Sequence, residues 1–236
     1  MYTRDAVNII RLITVAGLYT KDAFIGKMAG WPLFIISKYL LYPLFLGYMV
    51  EIYRGKIPSS SENPYEFIEG EELWGGLFFN GIKALIIKIL YATPIALIIG
   101  PFIILYVFGD SNPVDLIGSG MFGLSEETTL AIGAVASLFV FFYTIIIAFS
   151  LPIGLIRFAR TGNFFDAFKI VDILGHIGRI GRIKYFLAIV LLILIISSME
   201  YLLVQVPYIG WVLLLVCTPV FAVFSARYVT LLYEEG

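Results

Sequence analysis

Apolar residues run through this chain in long blocks separated by short polar stretches. A helix needs about 20 such residues to cross a bilayer. Four blocks meet that length: 82–108, 128–149 (extended past Pro152 to Arg160), 185–203 and 208–228. A fifth, 31–53, is interrupted by Lys38, Pro43 and Glu51 and is the weakest. Two shorter segments read as interfacial helices. The first, 5–19, carries Val7, Ile10, Leu12, Ile13 and Val15 among Arg4, Asn8 and Arg11; the second, 73–81, has Trp74, Leu77 and Phe78 at i, i+3 and i+4. The pattern predicts an all-α, polytopic transmembrane helix bundle of about five spans. An N-terminal interfacial segment (1–30) would precede a transmembrane helical domain (31–236).

The stretch from Pro152 to Lys184 connects two of these blocks. The apolar run ends at Arg157 and Arg160, turns at Thr161-Gly162, and resumes after a second cluster of cations. A surface helix is expected in between. Asn163 can cap it, with Asp166 three residues on, where an anion suits a helix N-terminus. Phe164, Phe168, Val171 and Leu174 fall on one face; Asp166, Lys169, Asp172, His176 and Arg179 fall on another.

Charge placement adds an orientation. Arg157, Arg160, Lys169, Arg179, Arg182 and Lys184 lie between the third and fourth spans, Arg54, Lys56 and Lys83 between the first and second, and Arg227 ends the fifth. The acidic loop 109–127 and the turn 204–207 contain no cation. By the positive-inside rule the polar loop 54–72, the surface helix and the C-terminus are cytoplasmic, and the acidic loop is outside. The N-terminus conflicts with this. A single crossing by 31–53 leaves Arg4, Arg11, Lys21 and Lys27 outside, and five full spans imply that outcome. A re-entrant hairpin over 22–53 keeps both its ends inside. Both alternatives stand on the sequence.

Composition agrees with a lipid solvent: 60% of the 236 residues are hydrophobic and 14% are charged, with a mean hydropathy of +0.95. A faint internal repeat runs through it. LPIGLIRFAR and TPVFAVFSAR both place a proline eight residues before an Ala-Arg pair, and YPLFLGYMVEIYRG is a looser copy.

Candidate chemistry is sparse. Lys38, Glu51, Lys88 and Glu200 are ionisable groups within predicted spans, which are default site candidates. No two acids share mid-depth as an ion relay would require, so snorkelling or local pairing is expected. His176 has no second His or Cys near it and reads as a solvated surface residue. The single Cys217 permits no disulfide framework. No G-x-S-x-G, H-E-x-x-H or phosphate-loop pattern occurs. Gly75, Gly76 and Gly81 read as close helix packing, and Tyr201, Tyr208 and Trp211 as an aromatic belt. The expectation is therefore a protein that is not an enzyme, uses no cofactor or metal, and does not bind nucleic acid. Its partners would be membrane lipid and either further copies of itself or a membrane protein. The cations Arg157, Arg160, Lys169, Arg179, Arg182 and Lys184 are candidate contacts to anionic lipid or to that partner. The alternative is a small channel or transporter subunit with a path between proline-kinked spans.

Four stretches carry a family resemblance: LGYMVEIYRG (Gly47, Tyr48, Arg54), ELWGGLFFNGIKAL (Trp74, Phe78, Gly81), IRFARTGNFFDAFKI (Arg157, Gly162, Phe168) and VPYIGWVLL (Pro207, Trp211). Over nearly its whole length the chain resembles the archaeal and bacterial integral membrane family known as domain of unknown function 4013. It departs from that family in its longer acidic loop at 58–72. The resemblance implies the membrane class and implies no activity.

The orientation is checked by single cysteines at Ser111 and Asn163 in a Cys217→Ala background. Impermeant thiol reagent should reach them from opposite sides of the membrane. Labelling of both from one side would refute the assignment.

Overall fold

The structure, a computed structural model, describes residues 9–26, 30–56, 73–108 and 126–236. Beyond them lie Arg4, Lys27, most of the polar loop expected at 54–72 and nearly all of the acidic loop expected at 109–127. The described residues are helical: α1 Ile9–Phe24, α2 Gly30–Tyr39, α3 Tyr42–Tyr53, a π-helical turn Leu73–Leu77, α4 Phe78–Phe108, α5 Glu126–Thr161, a 3-10 turn Phe164–Phe168, α6 Ile170–Ile180, α7 Arg182–Val204 and α8 Gly210–Glu234. Four helices are long and apolar enough to cross a membrane: 75–100, 131–161, 182–204 and 210–234. The fold is thus an all-α bundle with four or five candidate spans.

The chain divides into two compact units, 1–87 with 152–236, and 88–151. α1 belongs to the first unit. Its buried residues Leu12, Ala16, Thr20, Ala23 and Phe24 follow one face, and α8 is its main neighbour. The second unit contains α4 from Lys88 onward and α5 up to Leu151.

Within the first unit α8 is the central element, touching α1, α2, α3, α6 and α7. Arg227 suggested an end to the last span at 228, yet the helix continues to Glu234. Those extra turns carry Tyr228, Val229, Thr230 and Leu232 into the core. Glycine lets α3 approach the start of α4 backbone to backbone: a Cβ at Gly47 would fall on the Leu77 carbonyl, and one at Gly81 on the Pro43 carbonyl. Among the described residues nothing lies within reach of a Cβ at Gly75 or Gly76, so close packing there accounts only for Gly81 of the three glycines assigned to it.

The weakest predicted span is not straight. α2 and α3 are bent by 114° at Leu40-Leu41. At 1.5 Å per residue they measure about 15 and 18 Å, so their outer ends lie roughly 20 Å apart, short of the ~30 Å hydrocarbon core. Side chains locate those ends. Arg11 of α1 lies 4.0 Å from Glu235, just past α8. Arg54, past the end of α3, donates to the Ala159 carbonyl at 2.9 Å near the end of α5. Between them the path dips along α8: Trp31 donates to the Phe24 carbonyl, Phe24, Phe34 and Val223 share one apolar cluster, and the Tyr39 hydroxyl donates to the Leu215 carbonyl. Residues 9–53 thus leave and return to the same end of this unit, the course of a re-entrant hairpin.

Tags fused before Met1 and after Gly236 should therefore report from the same side of the membrane in a protease-protection assay. Protection of one tag alone would restore the single crossing.

Candidate functional site

The polar residues of the first unit gather where α3, α5 and α8 end. A helix leaves its last four carbonyls without intrahelical donors and carries about half a negative charge there. Three such ends meet, and side chains from neighbouring elements cap them. Arg54 Nε donates to the Ala159 carbonyl at 2.9 Å, and Arg160 Nε donates to the Tyr53 carbonyl at 3.3 Å. Each of these two helices ends on the other's arginine. The third end, on α8, receives His176: its Nε2 is 2.9 Å from the Tyr233 carbonyl.

Acids complete the network. Glu51 is only 4% exposed and pairs with Arg54 Nη1 and, at 2.9 Å, with Lys56 Nζ. Arg160 Nη2 donates to Glu234 at 2.7 Å, and its guanidinium lies 4.8 Å from the centre of the Tyr233 ring. The other face of this region is closed by the segment after α5. Asn163 Oδ1 accepts from the Phe165 amide at 3.1 Å, as a cap should. The Asp166 carboxylate accepts from Asn163 Nδ2 and from Lys169 Nζ. The Lys169 hydrogen bond holds the Asp166 carboxyl below its ordinary range; burial opposes it, and Thr161 and the charges of Lys169 and Arg157 reinforce it. Arg157 spans the two elements, donating to the Asp172 carboxylate at 2.7 Å and the Asp166 carbonyl at 3.4 Å.

The single amphipathic surface helix expected here is in fact two elements, a 3-10 turn and α6, parted at Lys169. The docking face differs too. Ile173, His176, Ile177 and Ile180 are buried, at the i, i+3, i+4, i+7 spacing of one stripe. Val171 and Leu174, expected on the apolar face with Phe164 and Phe168, are exposed, Val171 by 83%. His176 is not a solvated surface residue but is 4% exposed, its ring stacked on Tyr233 at 3.8 Å. Its Nδ1 lies 2.8 Å from Arg179 Nη2, and Arg179 Nε donates to the Gly236 oxygen at 3.0 Å. Burial pushes the imidazole pKa down. The Tyr233 carbonyl opposes this, and the guanidinium groups of Arg179, Arg157 and Arg160 reinforce it.

Four of the six candidate lipid-contact cations, Arg157, Arg160, Lys169 and Arg179, are thus occupied within the fold. Arg182 and Lys184, at the start of α7, have no partner among the described residues. The four ionisable residues expected within spans do not form a shared site. Glu51 belongs to the capped helix ends. Lys38 is half-buried against the Tyr39 and Phe45 rings. Glu200 is half-buried on α7, and Lys88, also half-buried, opens the second unit. Among the described residues no group of three His, Cys, Asp or Glu side chains could hold a metal ion.

Concavities lie in each unit among the described residues. Within the second unit, a groove of about 520 Å³ is lined by Ile98, Ile99, Gly133, Ala136, Ser137, Val140 and Phe141. The Ser137 hydroxyl is already given to the Gly133 carbonyl, which leaves the groove apolar. A polar cleft of about 310 Å³ lies between α1 and α8, lined by Arg11, Leu12, Val15, Leu231, Glu234 and Glu235.

Residues 32–217 match the family described as protein of unknown function (DUF4013). The chain belongs to that family. Comparison with curated proteins finds no match, and comparison with solved structures finds none either.

Because Glu51 is buried, removing Arg54 leaves its charge with Lys56 alone, and breaking one arm of a buried ion pair costs up to about 3–5 kcal/mol. Arg54→Met should therefore destabilise the folded protein by roughly that amount in an SDS unfolding titration. Arg11→Gln, which removes a 4.0 Å pair from a side chain 72% exposed, should change the midpoint by less than about 1 kcal/mol. Equal effects from the two substitutions would refute this account of Glu51.

Proposed function

We propose that this is a non-catalytic, multi-pass protein of the cell membrane that organises anionic lipid at its basic end. In this reading the capped helix ends and the C-terminus are cytoplasmic. α6 lies in the boundary between headgroups and acyl chains, and no cofactor or nucleic acid is involved.

The observation that supports it is a surface with two parts. Phe165, Ile170, Val171 and Leu174 are exposed beside the buried face of α6, and Ile183, 76% exposed, follows at the start of α7. In water these side chains would forgo about 1.5–3 kcal/mol each of burial free energy; in an acyl boundary they would recover much of it. Arg182 and Lys184 flank Ile183, and their charges are not spent inside the fold. Near an anionic leaflet each contributes about 1 kcal/mol of attraction. Positive-inside counting supports the orientation. The groove in the second unit, lined by apolar side chains, does not itself favour the transport alternative.

Native mass spectrometry in mixed zwitterionic and anionic lipid tests this directly. The Arg182→Gln/Lys184→Gln variant should retain several-fold less anionic lipid than wild type, and the difference should shrink at high salt. Lys169→Gln, which alters a cation already paired to Asp166, should retain as much as wild type. Equal retention by the double variant and wild type would overturn the proposal.

A further inference from the structure

His176 is the one titratable group in the interface between α6 and the end of α8 whose two ring nitrogens are both engaged. Arg179 is a guanidinium and can only donate, so Nδ1 must present a lone pair to it. The proton is then on Nε2, which donates to the Tyr233 carbonyl. The two partners together select the neutral imidazole, in a single tautomer.

A second proton has one place to go, Nδ1, and it would point at the Arg179 guanidinium 2.8 Å away. One hydrogen bond would be lost and two cations would face each other in a site largely closed to water. The charged groups around the ring come from three elements. α6 supplies Arg179. α5 supplies Arg157, committed to Asp172, and Arg160, committed to Glu234. The end of α8 supplies the Tyr233 ring, Glu234, and Glu235 on the side of Arg11. Two features favour an imidazolium: the carbonyl end of α8, worth up to about 2 kcal/mol in partly buried sites, and the stacked Tyr233 ring. Burial and three guanidinium groups oppose it, and they prevail in the direction of the shift.

We propose that His176 is a proton-sensitive latch: as neutral imidazole it holds α6 on the end of α8, and on protonation it releases α6 so that the face bearing Ile173, Ile177 and Ile180 can turn to the membrane. This rests on the reading of α6 as an interfacial helix and adds a regulation to it. A group whose pKa is lowered in the docked state contributes stability that is present above about pH 6.5 and is lost as the pH falls through the docked value. If the docked form takes no proton, the released form gains by a factor of up to about 30 between pH 7.5 and 5.0, from an unperturbed imidazole value of about 6.5.

The test is hydrogen exchange of the full chain in nanodiscs of phosphatidylcholine alone, where attraction to anionic headgroups is absent. Exchange over 170–180, corrected for its intrinsic pH dependence, should rise 10- to 30-fold from pH 7.5 to 5.0 in wild type. His176→Gln, which can still donate to Tyr233 and accept from Arg179 but does not titrate, should show a flat profile. Arg179→Met, which lets the docked ring take a proton, should show a smaller rise than wild type. A flat wild-type profile, a His176→Gln profile that rises in step with wild type, or an unchanged rise in Arg179→Met would each overturn the latch. Failure of the lipid reading appears elsewhere, as equal retention of anionic lipid by wild type and the Arg182/Lys184 variant, and leaves this measurement unaffected.

Discussion

Unpaired helix carbonyls at the end of a packed bundle are the constraint on which the rest of this structure depends. Three helices end close together in the first unit, and each would bring bare carbonyls and a partial negative charge up against the others. A cation from a neighbouring helix meets this need better than water could, because it also ties the two helices in register. Arg54 and Arg160 do so reciprocally. Neither bond can form until both helices have reached their final length and position. Glu51 and Glu234 then hold the arginines in place. Glu51 is tolerable at 4% exposure only because two cations share it.

The same constraint bears on the course of the first 53 residues. α1 begins and α3 finishes at the end where the carbonyls converge, so the intervening chain turns back inside the bundle. A straight span of 23 residues over 31–53 would carry Lys38 and Glu51 at different depths with no neighbour to satisfy them. The bend at Leu40-Leu41 instead brings Glu51 to the capped ends, while Lys38 rests on aromatic faces. It also removes the conflict over Arg11, which lies at the end of the unit where the other cations gather.

Much of this was readable in the sequence. Long apolar blocks located four spans to within a few residues, since crossing a bilayer needs only length and hydropathy. The Asn163 cap followed from spacing, while for Glu51 the sequence left snorkelling and local pairing open and the structure shows the pairing. The docking face of α6 did not. That helix is apolar over two adjacent arcs, Ile173–Ile177–Ile180 and Ile170–Val171–Leu174, and periodicity cannot say which is covered. The answer lies in the turns of α8 beyond Arg227, which bring Tyr233 to His176. A charged residue was read as the end of a span, although a helix that packs on protein can run past one. The internal repeat misled in a similar way. Its closest copies by sequence end at Arg160 and Arg227, yet the structural counterparts are Arg54 and Arg160. Arg227 instead lies within α8 over the Tyr19 ring.

Topology and the proposed lipid affinity are separable properties, because they would draw on the same cations at different times. During insertion the helices are not yet packed, and every arginine and lysine near the membrane contributes to orientation. After packing, Arg157, Arg160, Lys169 and Arg179 have carboxylates, carbonyls or an imidazole for partners, and their charge no longer faces the leaflet unopposed. Two cations, Arg182 and Lys184, stay free in the surface segment. A count of positive residues therefore predicts which side the segment occupies and overstates how strongly it holds an anionic headgroup. In the proposed reading, attraction to anionic lipid comes from the cations that the helix ends do not need.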